Sequence, residues 1–244
     1  MTVGQVTLVL TYALLTALAT GLGAVPFAVA RVVSPAATAH ANAIASGLML
    51  GASFALVAEG TGHGASETIV GAMLGVAFII AAERVLAGRN VAFGTVRGAD
   101  ARRVILMVAV MTVHSFAEGV ALGVAFGAGA TLALVITVAV AMHNVPEGLA
   151  ITAVLRPQGV SVTRCAGWSV VSSLPQPLMA VPAFLVVEAF APALPYGLGF
   201  AAGAMVFMVL VELLPEAYEL ARKPAVAALV TVTLVAMVLF QRWL

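Results

Sequence analysis

This sequence predicts an all-α polytopic membrane protein, a bundle of eight transmembrane helices. Three observations carry that expectation. The 244 residues are 63% hydrophobic and only 9% charged, with a mean hydropathy of +1.15. About a quarter of a soluble domain is charged, so this chain cannot cover a water-facing surface, and its solvent is lipid. The apolar residues fall into runs of roughly helix-spanning length, without the short alternating segments of a membrane barrel. Finally, ten of the 11 Lys and Arg fall on one side when the runs alternate across a bilayer.

The spans are expected at about 6–30, 41–57, 68–85, 104–125, 131–155, 166–190, 196–215 and 225–244. No Lys or Arg precedes Arg31, and a cleaved leader needs a basic start, so the first run is expected to stay as a span. The second and third runs are rich in Gly and Ala, which let membrane helices approach closely. Arg84, Arg89, Arg97, Arg102 and Arg103 surround the connection between the third and fourth runs. Arg31, Arg156, Arg164, Arg222 and Lys223 follow other odd-numbered runs, and Arg242 alone falls opposite. The positive-inside rule makes the basic side cytoplasmic and puts both termini outside. The long basic connection joins two halves of what is expected to be a single transmembrane domain, 1–244.

The fourth and fifth runs carry the chemistry. They contain His114-Ser115-Phe116-Ala117-Glu118-Gly119 and His143-Asn144-Val145-Pro146-Glu147-Gly148. Residues four apart share a helix face, so each stretch points an imidazole and a carboxylate the same way. Both stretches fall near the bilayer midplane at about 1.5 Å of rise per residue. Ionisable side chains there are costly, and four at one depth call for a shared reason. A divalent transition metal neutralises carboxylates and uses neutral imidazoles. Pro146 removes the donor for the Met142 carbonyl and is expected to kink the fifth helix.

Other features are weaker. The net charge of +1 argues against nucleic acid. The lone Cys165 excludes an internal disulfide and a Cys-rich metal site, and reads as a small apolar residue. Met49, Met205 and Met208 read as filler. No nucleotide-binding loop is present. Glu59 and His63 end the second run on the outer side, with Glu67 nearby, where they could gather cations or simply be solvated. His40, at the cytoplasmic start of that run, and Glu212, late in the seventh, are candidate release-side ligands. For Glu212 the plainer alternative is an interfacial carboxylate.

With those motifs in view, the whole chain resembles the ZIP (Zrt/Irt-like) metal-ion transporters of bacterial type. His143-Asn144-Val145-Pro146-Glu147-Gly148 matches that family's metal motif closely. The partner motif departs from it, with Ser115 and Ala117 where the family has Asn and Pro. The resemblance implies a binuclear centre. One ion would lie on His114, Glu118, His143 and Glu147. The second would draw on Ser115, Asn144, the bridging Glu118 and Glu147, and a sixth-helix position that here is Gln176. Gln lacks the charge of a carboxylate and Ser is a poorer ligand than an amide, so a sound first site and a weak or absent second one are expected. The resemblance also implies that helices one, four, five and six move as a block against the others.

The function expected is secondary transport of Zn²⁺ or a related divalent ion (Cd²⁺, Fe²⁺, Mn²⁺, Co²⁺) into the cytoplasm of a bacterial cell across its inner membrane. No prosthetic group, nucleic-acid partner or enzymatic activity is expected. The small-residue surfaces are compatible with a homodimer. Two other readings are an intramembrane metalloenzyme and a proton-relay membrane subunit. The first lacks the His-Glu-x-x-His arrangement, and the second has no need of two matched His/Glu pairs.

Overall fold

The computed structural model describes residues 3–29, 34–87 and 99–243. Among them there is no strand, and the chain forms eight helical segments. Helix α1 covers Val3–Thr20 and continues through a tight 3₁₀ turn, Gly21–Ala24, into the short helix Pro26–Val29. Then come α2 (Pro35–His63), α3 (Ala65–Ala87), α4 (Ala99–Ala128) and α5 (Ala130–Leu155). Segment α6 spans 162–189 in two halves, Val162–Ser172 and Pro175–Ala189. Segment α7 runs from Leu194 through a π turn at Val209–Leu213 to Leu220, and α8 is Lys223–Trp243. Seven of these are long and apolar enough to cross a membrane, and the apolar half of α4, Ser115–Ala128, is an eighth apolar helix.

The expected spans and the helices agree in number and order, but several helices overrun their apolar runs. Helix α2 starts six residues earlier than expected because Ser34 caps it: its Oγ accepts from Ala37 N at 3.2 Å and Pro35 takes the first helical position, where a missing N–H costs nothing. Helix α4 starts at Ala99, so Arg102 and Arg103 lie on the helix, not in the connection. Their side chains, and Arg31, Arg89 and Arg97, lie outside the described residues.

Two groups of helices emerge from the packing. Helix α1 lies against α5 and α6, and α4 lies against α6 and α5. In the other group α3 packs on α7, and α2 packs on α8 and α7. The α3–α7 seam is a reciprocal small-residue interface: Gly71 and Gly75 face the Tyr196 and Phe200 carbonyls, while Gly199 and Gly203 face those of Thr68 and Ala72. Backbone contact of this kind supplies the association that hydrophobicity cannot supply in lipid. The groups meet where α2 crosses α5 and α4 crosses α7.

Candidate metal centre

Glu118 on α4 and His143 and Glu147 on α5 converge between the helices. All three are buried, at 0%, 2% and 4% exposure. His143 Nε2 lies 3.4 Å from Glu118 Oε1 and 3.3 Å from Glu147 Oε1. One ligand atom from each of the three lies within 4.8 Å of the other two. Tetrahedral bonds of about 2.0–2.1 Å put neighbouring ligand atoms about 3.3 Å apart, so both distances from the imidazole suit a metal such as zinc. The Nδ1 of His143 has no hydrogen-bond partner among the described residues. His114 lies on the same helix one turn before Glu118, and its side chain lies outside those described.

The glycine that follows each glutamate has a structural reason. A methyl on Gly148 would run into the Thr20 carbonyl of α1, and one on Gly119 would sit 2.5 Å from the Gln176 carbonyl of α6. The two His-x-x-x-Glu-Gly stretches are thus places where a third helix presses its backbone against the ligand-bearing one. Helix α5 runs through Pro146 without interruption.

Beside the cluster is a buried polar network. Gln176, at the start of the second half of α6, donates from Nε2 to Glu118 Oε2 and, at 3.2 Å, to Asn144 Oδ1. Asn144 returns a bond from Nδ2 to Gln176 Oε1 at 3.1 Å and sends another to the Thr16 carbonyl of α1 at 2.6 Å. The Thr16 hydroxyl is shared between the Ala13 carbonyl, at 2.9 Å, and Gln176 Oε1, at 3.0 Å. One turn on, Thr20 and Ser173 hydroxyls meet at 2.7 Å. Gln176 thus bonds Glu118 directly, and Asn144 joins through Gln176. Ser115 is fully buried, and its Oγ has no hydrogen-bond partner among the described residues.

On one side of the cluster a cavity of about 50 Å³ runs from His143 and Glu147 past Met208 to Glu212, Asn42 and Glu216. That is room for more than one water, each of which needs about 10–15 Å³. It lies between α5 of one helix group and α2 and α7 of the other. Glu212 sits in the π turn of α7 just before Pro215. The extra residue of such a turn re-aims the side chains around it, a feature frequent at functional sites. At the mouth, Asn42 Nδ2 donates to Glu216 Oε2 at 2.9 Å. On the other side of the cluster Ala121, Leu122, Ile136 and Val140 are buried in one apolar cluster with Met49 of α2 and Leu198 of α7.

The remaining candidates stand apart. His40 is exposed near the start of α2 and does not line the cavity. Glu59 and His63 pair at 3.1 Å in the last turns of α2, both partly exposed. Glu59 also borders an open hollow of about 480 Å³ near Gly129 and Gln241. Thr16, Thr20, Asn42 and Glu216 went unnoticed as site residues. For Thr16, Thr20 and Asn42 the only sequence signal is a small polar residue inside or beside an apolar run, and many such residues only bond their own helix; Glu216 reads as an exposed carboxylate beyond the seventh run.

Fold and site together define a multi-pass helical membrane protein with a buried His/carboxylate cluster suited to a divalent metal. A family model described as ZIP Zinc transporter matches residues 94–239. The chain is 31% identical to the zinc transporter GufA of Myxococcus xanthus over 224 residues, which cover 84% of this chain and 87% of that protein. It is 44% identical over 237 residues to a putative zinc transporter of Arabidopsis thaliana, covering 96% of this chain but only 38% of the plant protein's length. It is also 36% identical over 127 residues to zinc transporter ZIP11 of Xenopus tropicalis, 49% of this chain and 38% of that one. The chain belongs to the ZIP family.

Proposed function

We propose that this chain is a secondary transporter that carries Zn²⁺ or a similar divalent ion into the cytoplasm. The observation that carries the reading is the convergence of Glu118, His143 and Glu147 at zinc-like spacing in a buried place. Their charges need a counterion there. His114, one turn before Glu118 on α4, would be the fourth ligand that the family resemblance implies. By the positive-inside rule the loop charges support an orientation with the Arg222-Lys223 end of α7, and with it the cavity mouth at Glu216, on the cytoplasmic side of a bacterial inner membrane and both termini outside.

On that orientation the molecule faces inward. The cavity gives an ion at Glu147 a path past Glu212 to Glu216, while the packed residues on the outer side close the way back. Alternating access then requires the ligand-bearing group, α1 with α4, α5 and α6, to move against the others. The Thr16–Gln176–Asn144–Glu118 network takes one residue from each of those four helices and ties them into one body. Glu59 and His63 would lie at the uptake side and His40 at the release side, both off the described cavity.

The test is metal content and uptake by the purified chain in liposomes, beside Glu147→Ala. A bound Zn²⁺ and Zn²⁺ uptake into the lumen, both lost in Glu147→Ala, are expected. Uptake that survives Glu147→Ala undiminished would move the path elsewhere.

A further inference from the structure

Glu118 has two carboxylate oxygens with different neighbours. Oε1 faces the His143 imidazole at 3.4 Å, on the side where the proposed ion would sit. Oε2 faces away from it, towards Asn144 and Gln176, and accepts from the Gln176 amide. A carboxylate carrying an ion on one oxygen commonly offers the other to a second cation. Here an amide N–H meets it instead.

The hydrogen-bond inventory explains why the amide cannot easily turn round. A side-chain amide has two donors on nitrogen and two lone pairs on oxygen. Both Gln176 donors are used, on Glu118 and Asn144, and both lone pairs are used, by the Thr16 hydroxyl and Asn144 Nδ2. Asn144 is held in turn, because its second N–H is committed to the Thr16 carbonyl. Thr16 therefore fixes both amides: its hydroxyl by donating to the Gln176 oxygen, its carbonyl by accepting from Asn144. All of these groups are at most 2% exposed, so water offers no substitute partner.

We propose that Thr16 is a positioning residue that holds the Gln176 amide nitrogen against Glu118, in the place a second cation would take, and so restricts the site to one divalent ion. The inference rests on the metal-site reading above and deepens it. The amide supplies fixed positive hydrogens to Glu118 Oε2 without carrying a full charge. To bind a second ion, Gln176 must rotate and present its oxygen, which strips Glu118 of its donor and breaks the contact of Gln176 Oε1 with the Thr16 hydroxyl, leaving that hydroxyl to the Ala13 carbonyl alone.

The experiment counts Zn²⁺ bound per full-length chain, purified in one detergent, at Zn²⁺ concentrations well above saturation of the first site. One ion is expected for the native chain and two for Gln176→Glu, which restores a charged oxygen ligand. Thr16→Val removes only the hydroxyl and frees the amide to turn. It is expected to keep the first ion and gain a second that binds at least tenfold more weakly. Thr16→Ser, which keeps the hydroxyl, is expected to return to one. A purely structural role for Thr16 would lower thermal stability without changing the count. Two ions on the native chain, or one ion on Thr16→Val, would overturn the proposal. Thr16→Ala carries the same expectation should Thr16→Val fail to fold. No ion on the native chain would instead sink the metal-site reading itself. Loss of the ion in Glu147→Ala together with one ion on every Thr16 variant would sink this inference alone.

Discussion

Two glycine-to-alanine substitutions in neighbouring elements should move stability in opposite directions. Gly148 follows Glu147 on α5, and a β-carbon there would overlap the Thr20 carbonyl and approach Gly23 Cα at 3.4 Å. Both obstacles are main chain, so no rotamer change relieves them. Overpacking of this kind costs about 1–3 kcal/mol, and main chain on both contacts argues for the upper part of that range. The gain from replacing a helical glycine is about 1 kcal/mol, so Gly148→Ala should destabilise by about 2 kcal/mol. Gly167, in the first half of α6, is exposed and would meet nothing within 4 Å. There only the helix-propensity gain remains, and Gly167→Ala should stabilise by about 0.5–1 kcal/mol. For a chain of this size that corresponds to a melting point lower by about 4–8 °C in one case and higher by about 1–4 °C in the other. Moving α1 off α5 also stretches the 2.6 Å bond from Asn144 to the Thr16 carbonyl, so Gly148→Ala should lose Zn²⁺ affinity while Gly167→Ala keeps it. Thermal denaturation in a common detergent, with and without Zn²⁺, reads both effects. Shifts of the same sign, or an unchanged Gly148→Ala, would refute the close approach of α1 to α5.

Zn²⁺ at about 100 times its dissociation constant should stabilise the native chain by about 2.7 kcal/mol, read as a raised melting point, and should leave Glu147→Ala unmoved. Acidification should weaken Zn²⁺ binding, because imidazole and carboxylates must be deprotonated to ligate; a titration from about pH 7.5 to about pH 5.5 checks this, and stronger binding in acid would exclude His143 as a ligand. Asn42→Leu removes the donor to Glu216 at the cavity mouth. A hydrogen bond to a charged group contributes about 1.5–3 kcal/mol, but Glu216 is exposed and water replaces much of it. Little change in stability is therefore expected, alongside a change in the rate of Zn²⁺ release from preloaded liposomes; a loss of folded protein would mean that Asn42 serves the fold instead.

The features that a sequence displays by periodicity were legible, and those that depend on one helix meeting another were not. Span count, span order and the pairing of His143 with Glu147 follow from composition and helical spacing alone. So does the meeting of α4 with α5, since two matched buried motifs have little reason to exist apart. Helix ends were less visible, because Ser34 and Pro35 extend α2 by capping, not by hydrophobicity. Thr16 and Asn42 were silent for a different reason. A threonine in an apolar helix usually bonds its own i−3 or i−4 carbonyl, as Thr7, Thr137 and Thr152 do here. Thr16 does so as well, and its second partner, 160 positions away, is a product of the packing. Met208, which reads as filler, proves to line the cavity.

The arrangement also explains how a bilayer protein can carry two buried carboxylates side by side. Their desolvation has to be offset by partners on every face, and the site divides that task. Gln176 covers the face of Glu118 turned towards α6 and α1, with its own polar atoms satisfied in turn by Asn144 and Thr16. The cavity reaches Glu147 and His143 from α2 and α7 and has room for water. The remaining face, between the oxygens and the imidazole, is the one that suits a metal ion. A partly satisfied buried network is worse than an apolar core, so the amide network and the ion face are mutually dependent. Removing the amide leaves Glu118 under-partnered even with an ion bound, and without an ion the amide compensates only half of the site. That dependence makes the ligand-bearing helices cohere through the site, through bonds that take one residue each from α1, α4, α5 and α6.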